Sequence, residues 1–85
     1  MKTFTYTIKN EAGIHARPAG QLVRKAEEFG SAITLECDGK SVDAAKLIAV
    51  MGMGVKQGDT VKITIEGADE EKAAAELESF FGENL

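Results

Sequence analysis

The chain has 85 residues, 44% of them hydrophobic and 28% charged, and this composition is typical of one globular domain spanning residues 1–85. Its formal net charge of −4 argues against nucleic-acid binding, because proteins that bind the phosphate backbone present a basic face. No apolar run approaches the roughly 20 residues that a membrane-spanning helix needs, so membrane insertion is not expected either.

The chain offers few residues for disulfides, metals or cofactors. Its N-terminal residues lack the apolar core of a signal peptide, and the lone Cys37 cannot form an internal disulfide, so we expect a cytoplasmic protein. One histidine and one cysteine at this spacing do not make a metal site. The segment Gly52-Met53-Gly54 lacks the lysine and helix of a nucleotide-binding loop, and no cofactor is expected.

The first thirty residues predict a strand followed by a helix. Residues 2–9 alternate between polar and apolar side chains, which indicates a strand with one buried face. Residues 16–29 carry apolar side chains at helical spacing and so predict an amphipathic helix. Gly30 provides a stop signal for that helix.

The middle of the chain predicts a hairpin and a short helix. Residues 32–37 alternate again, and Asp38-Gly39 is a strong two-residue turn signal that leads into a short return strand at 40–42. The apolar run 46–51 is too short to separate helix from strand by its period. The glycines that follow it favour a short helix.

The last third predicts a strand and a final helix. Residues 60–66 alternate cleanly, and Asp69 is positioned to cap a helix whose first turn contains Glu70 and Glu71. The element order is therefore β-α-β-β-α-β-α. Because each longer strand has one apolar and one polar face, we predict an antiparallel sheet with helices on one side, an open-faced two-layer α/β sandwich.

The only histidine and the only proline of the chain lie where the first strand leads into the first helix. His15 is predicted at or just before the helix start, with Ala16, Arg17 and Pro18 in the first turn. The free N–H groups of Ala16 and Arg17, the helix dipole and the Arg17 guanidinium form a site for an anion. Positive surroundings favour a neutral, nucleophilic imidazole, and the simplest chemistry is acceptance of a phosphoryl group on a ring nitrogen. The alternative is that His15 is an ordinary surface or capping residue.

The segment Gly13-Ile14-His15-Ala16-Arg17-Pro18-Ala19 resembles the active-site signature of HPr, the histidine-containing phosphocarrier family of the bacterial sugar phosphotransferase system. The resemblance implies strand order 1-4-2-3 with three helices on one face. It implies that Nδ1 of His15 takes a phosphoryl group from phosphorylated enzyme I, itself charged by phosphoenolpyruvate. It further implies delivery to the IIA domains of sugar permeases, by a carrier and not by a turnover enzyme.

One position departs from the resemblance. Gram-positive members carry a regulatory serine at the start of the short middle helix, and alignment through Gly39-Lys40-Ser41-Val42 puts Lys46 there. Lys46 has no hydroxyl to phosphorylate, so serine regulation is not expected. Ser41 lies nearby but is assigned to the hairpin.

An apolar group on the short middle helix is a candidate for partner docking. Four apolar residues, Leu47, Ile48, Met51 and Met53, exceed what a helix of under two turns can bury. For Leu47, Ile48 and Met51 the resemblance favours an exposed docking patch over the alternative of core residues. We add three neighbouring residues to the docking surface: Pro18, Arg24 and Lys46. Arg24 would steer acidic partners.

Two other functions remain open. A paralogue on the same fold could act in a nitrogen-type phosphotransfer relay or as a regulatory binding module. Intact His15 and Arg17 favour a phosphorylated relay but do not separate the two relays. An RNA-binding domain is disfavoured by the charge and by the lack of an aromatic pair on a strand. We expect a monomer.

Overall fold

The computed structural model of the protein describes all 85 residues and has the predicted order of elements. Its strands and helices are β1 (Lys2–Thr7), α1 (Ala16–Glu27), β2 (Ala32–Cys37), β3 (Lys40–Asp43), α2 (Leu47–Gly52), β4 (Thr60–Glu66) and α3 (Glu70–Asn84).

The four strands form one antiparallel sheet in the order β1-β4-β2-β3. The central strand β4 alternates as its sequence predicts, with Val61, Ile63 and Ile65 buried. The opposite face of the sheet carries threonines and charged residues, and the three helices cover the apolar face. The predicted open-faced sandwich with strand order 1-4-2-3 is therefore confirmed. None of its helices has the length and apolar character to span a bilayer.

Phe81 of α3 lies at the centre of the core between helix and sheet. It is fully buried, and its ring makes edge contacts with Phe4 and Tyr6 of β1 at centroid distances of 5.9 and 5.6 Å. Leu22 of α1 and Leu35 of β2 are also fully buried. α1 and α3 thus pack their apolar faces on the sheet, and their polar faces remain in water.

Hydrogen bonding shortens two predicted elements. The sequence predicts a first strand to residue 9, but β1 ends at Thr7 because Ile8 exchanges hydrogen bonds with the turn at 58–59. The helix predicted to residue 29 ends at Glu27, because Glu28 and Phe29 donate to carbonyls only three residues back. Side-chain periodicity continues beyond both ends, although the regular backbone pattern does not.

Asp69 does not cap α3 with its side chain, contrary to the prediction from sequence. Its carboxylate instead accepts hydrogen bonds from the Gly30 N–H, at 2.8 Å, and from the Ser31 hydroxyl. A side chain at Gly67 would collide with Ser31, since an added Cβ would lie 2.6 Å from the Ser31 Cα. Asp69 therefore joins the beginning of β2 to the beginning of α3.

This link makes an acid-sensitive contribution to stability. The hydrogen bond from Ser31, followed by that from Gly30, lowers the pKa of Asp69 below its ordinary value of 3.8. A lowered folded-state pKa stabilises the fold fully above the unfolded value, and this stabilisation is lost as the pH falls through the folded-state pKa.

We therefore expect Asp69→Asn to lower the urea midpoint of unfolding at pH 6 and to converge with the wild type below the folded-state pKa of Asp69. Urea unfolding measured from pH 2 to pH 7 tests this. Ser31→Ala removes the main hydrogen-bond donor and serves as the matched variant. A constant difference between wild type and Asp69→Asn at every pH would contradict the link.

Candidate functional site

A close backbone contact positions the start of α1. Gly13 has a positive φ of 67°, and an added Cβ would lie only 2.2 Å from the carbonyl oxygen of Val55, so only glycine fits. The next residue, Ile14, donates its N–H to that same oxygen at 3.2 Å and buries its side chain in the core. The start of α1 is thereby tied to the segment that follows α2.

His15 occupies the N-cap of α1 with an extended backbone, φ −100° and ψ −176°. Its side chain is exposed and makes no capping hydrogen bond, nor any other hydrogen bond or ion pair within the chain. Only its carbonyl has a structural partner, the N–H of Ala19 at 2.9 Å. The side chain of His15 therefore does not cap the helix, and the capping alternative is wrong. Both ring nitrogens are without a hydrogen-bond partner within the molecule.

The first turn of α1 leaves positive groups beside the imidazole. The N–H groups of Ala16 and Arg17 have no acceptor in the chain, as expected for a helix N-terminus, and the turn contains no acidic residue. The Arg17 side chain is exposed and forms no ion pair. These donors can hold an anion close to the His15 ring.

The three apolar residues predicted for docking are exposed on α2. Leu47, Ile48 and Met51 keep 40%, 82% and 42% of their accessible surface, and with Met1 they are the exposed large apolar side chains of the chain. We call Leu47, Ile48 and Met51 the α2 patch. Because α1 packs against α2, the patch belongs to the same helical layer as His15.

The chain is similar to known proteins in both sequence and structure. The family model for the "PTS HPr component phosphorylation site" matches residues 2–83. The chain is similar to the phosphocarrier protein HPr of Lysinibacillus sphaericus, with 41% identity over 83 residues, 98% of this chain and 94% of that protein. The chain belongs to the HPr family. Members of this family are phosphocarrier proteins of the phosphotransferase system and not catalytic enzymes.

Solved structures support the same assignment. The crystal structure of HPr from Thermoanaerobacter tengcongensis is 47% identical, aligns over the whole of both chains and has a TM-score of 0.88. The crystal structure of Crh, a catabolite repression protein of Bacillus subtilis, is 32% identical over 94% of this chain and 92% of its own, with a TM-score of 0.78. The solved structures similar to this chain therefore include a protein named HPr and a catabolite repression protein named Crh.

The structure corrects the inclusion of Pro18 in the docking surface. Pro18 is buried, together with Ala19, Leu22 and Ala26, on the face of α1 that packs on the core. Helical spacing places position 18 one turn before position 22, and so turns it away from solvent. Pro18 can shape the first turn of this HPr-family helix, but its side chain offers no surface to a partner.

Basic residues near the α2 patch differ in their pairing. Arg24 and Lys46 are exposed and form no ion pair. Lys25 instead donates to Glu76 of α3 at 2.8 Å and lies 3.5 Å from Glu28, and the hydrogen bond to Glu76 raises its pKa. Lys25 thus forms an ion pair between α1 and α3, whereas Arg24 and Lys46 have no ion-pair partner in the chain.

Lys46 immediately precedes α2 and is its N-cap, so the helix begins one residue later than the predicted run. The turn before it is set by Asp43, whose carboxylate accepts the N–H of Ala45 at 2.8 Å. The Lys46 carbonyl accepts the N–H of Val50, while its side chain is exposed. Ser41 lies in β3 opposite Glu36, as the hairpin prediction requires.

Cys37, Asp38 and Asp59 form one group of potential metal ligands. A thiol and two carboxylates, from Cys37, Asp38 and Asp59, come within 4.8 Å of one another. Burial, with the charges of both aspartates, raises the pKa of the Cys37 thiol. The thiolate that binds metals is therefore disfavoured.

One residue that was not predicted from the sequence closes the turn before Gly13. The sequence predicts no helix or strand for residues 10–13, but there Asn10 accepts the N–H of Ala12 on its side-chain oxygen at 2.9 Å. An asparagine bonded to the N–H two residues later is an Asx turn, and this pattern is a signal available in sequence.

Proposed function

We propose that His15 accepts a phosphoryl group from phosphorylated enzyme I and passes it to the IIA domains of sugar permeases. The observation that carries the proposal is an exposed histidine without an internal partner, placed beside unpaired N–H groups at a helix N-terminus. Membership of the HPr family supports it. The family resemblance assigns the phosphate to Nδ1.

In this proposal the fold contributes position and electrostatics. A ring nitrogen of His15 attacks phosphorus as the bond to the donor breaks, and negative charge remains on the phosphoryl oxygens. The N–H groups of Ala16 and Arg17 and the guanidinium of Arg17 stabilise that charge. Because the His15 side chain is exposed, donor and acceptor proteins can reach the same nitrogen in turn.

The α2 patch supplies the apolar part of the proposed docking surface, and Arg17, Arg24 and Lys46 supply its charge. None of these three cations is paired within the chain, although the formal net charge is −4. Partners with an apolar area bordered by acidic side chains would fit this surface. Enzyme I and IIA domains are proposed to present such surfaces.

The proposal describes residues 1–85 as one domain that acts as a monomer in the cytoplasm, without a cofactor. A single sheet and one continuous core of buried residues support the single domain.

A regulatory role on the same fold is the second candidate, and similarity to Crh favours it. That similarity, at 32% identity, is lower than the 41% and 47% shared with the two HPr proteins. Lys46 also lacks the hydroxyl that serine phosphorylation requires. A nitrogen-type relay would use the same His15 chemistry, and transfer to a nitrogen-type IIA protein would reveal it.

The first prediction from the proposed function is that His15 alone carries the transferable phosphate. Incubation with enzyme I and labelled phosphoenolpyruvate should label the wild type with an acid-labile, base-stable phosphoramidate. His15→Ala should abolish labelling and keep the fold, since the side chain makes no internal contact by hydrogen bond. Labelling of His15→Ala would contradict the proposal.

The second prediction concerns Arg17. Lysine keeps the charge but loses the bidentate fork, so Arg17→Lys should slow phosphorylation about tenfold, and Arg17→Glu should slow it on the order of 10² to 10³-fold. Thermal melting of both variants should stay near wild type. Arg24→Glu is the matched control on the same helix.

The losses at the two arginines should respond differently to salt. The deficit of Arg24→Glu should fade as ionic strength rises, because it reflects steering, while that of Arg17→Glu should persist. A large loss of stability with normal transfer in the Arg17 variants would show that Arg17 is structural.

The third prediction concerns Lys46, where an amine stands in place of the regulatory serine. Lys46→Glu should slow phosphorylation by enzyme I roughly three- to tenfold at low ionic strength and approach wild type at high salt. Lys62→Glu makes the same change in charge on the open face of the sheet and is the control. Equal rates for wild type and Lys46→Glu at low salt would remove position 46 from the docking surface.

A further inference from the structure

The turn before His15 is built around Asn10. The Asn10 carbonyl accepts the N–H of Gly13 at 2.9 Å, and its side-chain oxygen accepts the N–H of Ala12 at 2.9 Å. Its backbone N–H donates to the backbone oxygen of Leu85 at 2.8 Å, and its side-chain amide donates to the Asn84 carbonyl at 3.3 Å. Asn10 thus closes its own turn and fastens that turn to the end of α3.

In the other contacts near this turn, residues 9, 13 and 14 take part through main-chain atoms only. Gly13 and Ile14 contact the Val55 carbonyl through backbone atoms alone, and the Gln57 side chain reaches only the carbonyl of Lys9. Asn10 is therefore the one residue whose side chain forms hydrogen bonds within the 10–13 turn.

The imidazole depends on this turn for its direction. No side chain orients the His15 ring by a hydrogen bond, so its placement follows from the backbone at 13–15. Two fixed points define that backbone: the Val55 carbonyl on one side and the Asn10 turn on the other. A shift of either one moves the ring relative to the N–H groups of Ala16 and Arg17.

We propose that Asn10 is a positioning residue for phosphoryl transfer at His15. The inference rests on the proposed function, and it assigns to a loop residue the task of aligning the imidazole with the anion site. Misplacement of a reacting group by about 1 Å can cost a factor of about 10² in rate, so even partial loosening should be measurable.

The two ends of the Asn10 side chain can be separated by substitution. Serine can accept the N–H two residues later but is too short to reach the Asn84 carbonyl, so Asn10→Ser keeps the turn and loses the link to α3. Asn10→Ala loses both. Gln57→Ala removes a hydrogen bond to the neighbouring Lys9 carbonyl and is the matched control for general loosening of the loop.

The experiment measures phosphorylation by enzyme I under steady-state conditions, well below the melting temperature of every variant. We expect kcat to fall about tenfold in Asn10→Ala with KM unchanged, since the α2 patch is intact. Asn10→Ser should recover most of the rate, and Gln57→Ala should stay within about twofold of wild type. An equal loss in Gln57→Ala, or a change confined to KM, would overturn the inference.

A second readout needs no partner protein. Amide hydrogen exchange at Ala12 and Gly13 should accelerate in Asn10→Ala, and the NMR signals of the His15 ring should shift, while Asn10→Ser stays near wild type on both measures. Unchanged exchange and ring signals would overturn the inference. If the wild type is not phosphorylated on His15, the proposed function fails and the role of Asn10 in transfer fails with it, and these two measurements then decide only whether Asn10 positions the ring. If the wild type is phosphorylated and Asn10→Ala reacts normally, the inference fails and the function stands.

Discussion

The carbonyl of Val55 is the point on which the arrangement of the site depends. It receives the N–H of Ile14, and Gly13 lies so close to it that no side chain fits between them. This contact joins two segments that are distant in sequence, the junction before α1 and the segment after α2. The helix N-terminus and the exposed α2 patch are consequently parts of one helical layer.

The basic residues of α1 and of the start of α2 differ in their ionic pairing. Lys25 is held by Glu76 and Glu28, whereas Arg17, Arg24 and Lys46 make no ion pair. Exposed ion pairs contribute little to the free energy of unfolding, so their main consequence is which basic residues remain without an acidic partner. The proposed docking surface therefore carries unpaired positive charge although the chain has a net charge of −4, whereas the first turn of α3 contains Glu70 and Glu71.

The bounds of the strands and helices could be predicted from the sequence where the side-chain pattern and the backbone hydrogen-bond pattern end at the same residue. Strands β2 and β4 have the predicted bounds, because the period of two in their side chains continues for as long as the ladder does. At Ile8 and Glu28 the two patterns separate, and only the hydrogen bonds show where the element ends. Pro18 is a different case: it lies one helical turn before Leu22, so the spacing already places it on the buried face, and its assignment to the docking surface disregarded that spacing.

Two polar residues show why long-range connections were less predictable than the short motif that contains His15. Asp69 carries the local signal of a helix cap, yet its carboxylate bonds Gly30, 39 positions away, because β2 and α3 begin side by side. Asn10 carries the local signal of an Asx turn, and its amide also bonds Asn84, 74 positions away. His15 and Arg17 are two positions apart, so a short motif contains both. Asp69 and Asn10 instead bond distant partners, which become neighbours only when the sheet has formed with β1 beside β4 and α3 packed across both.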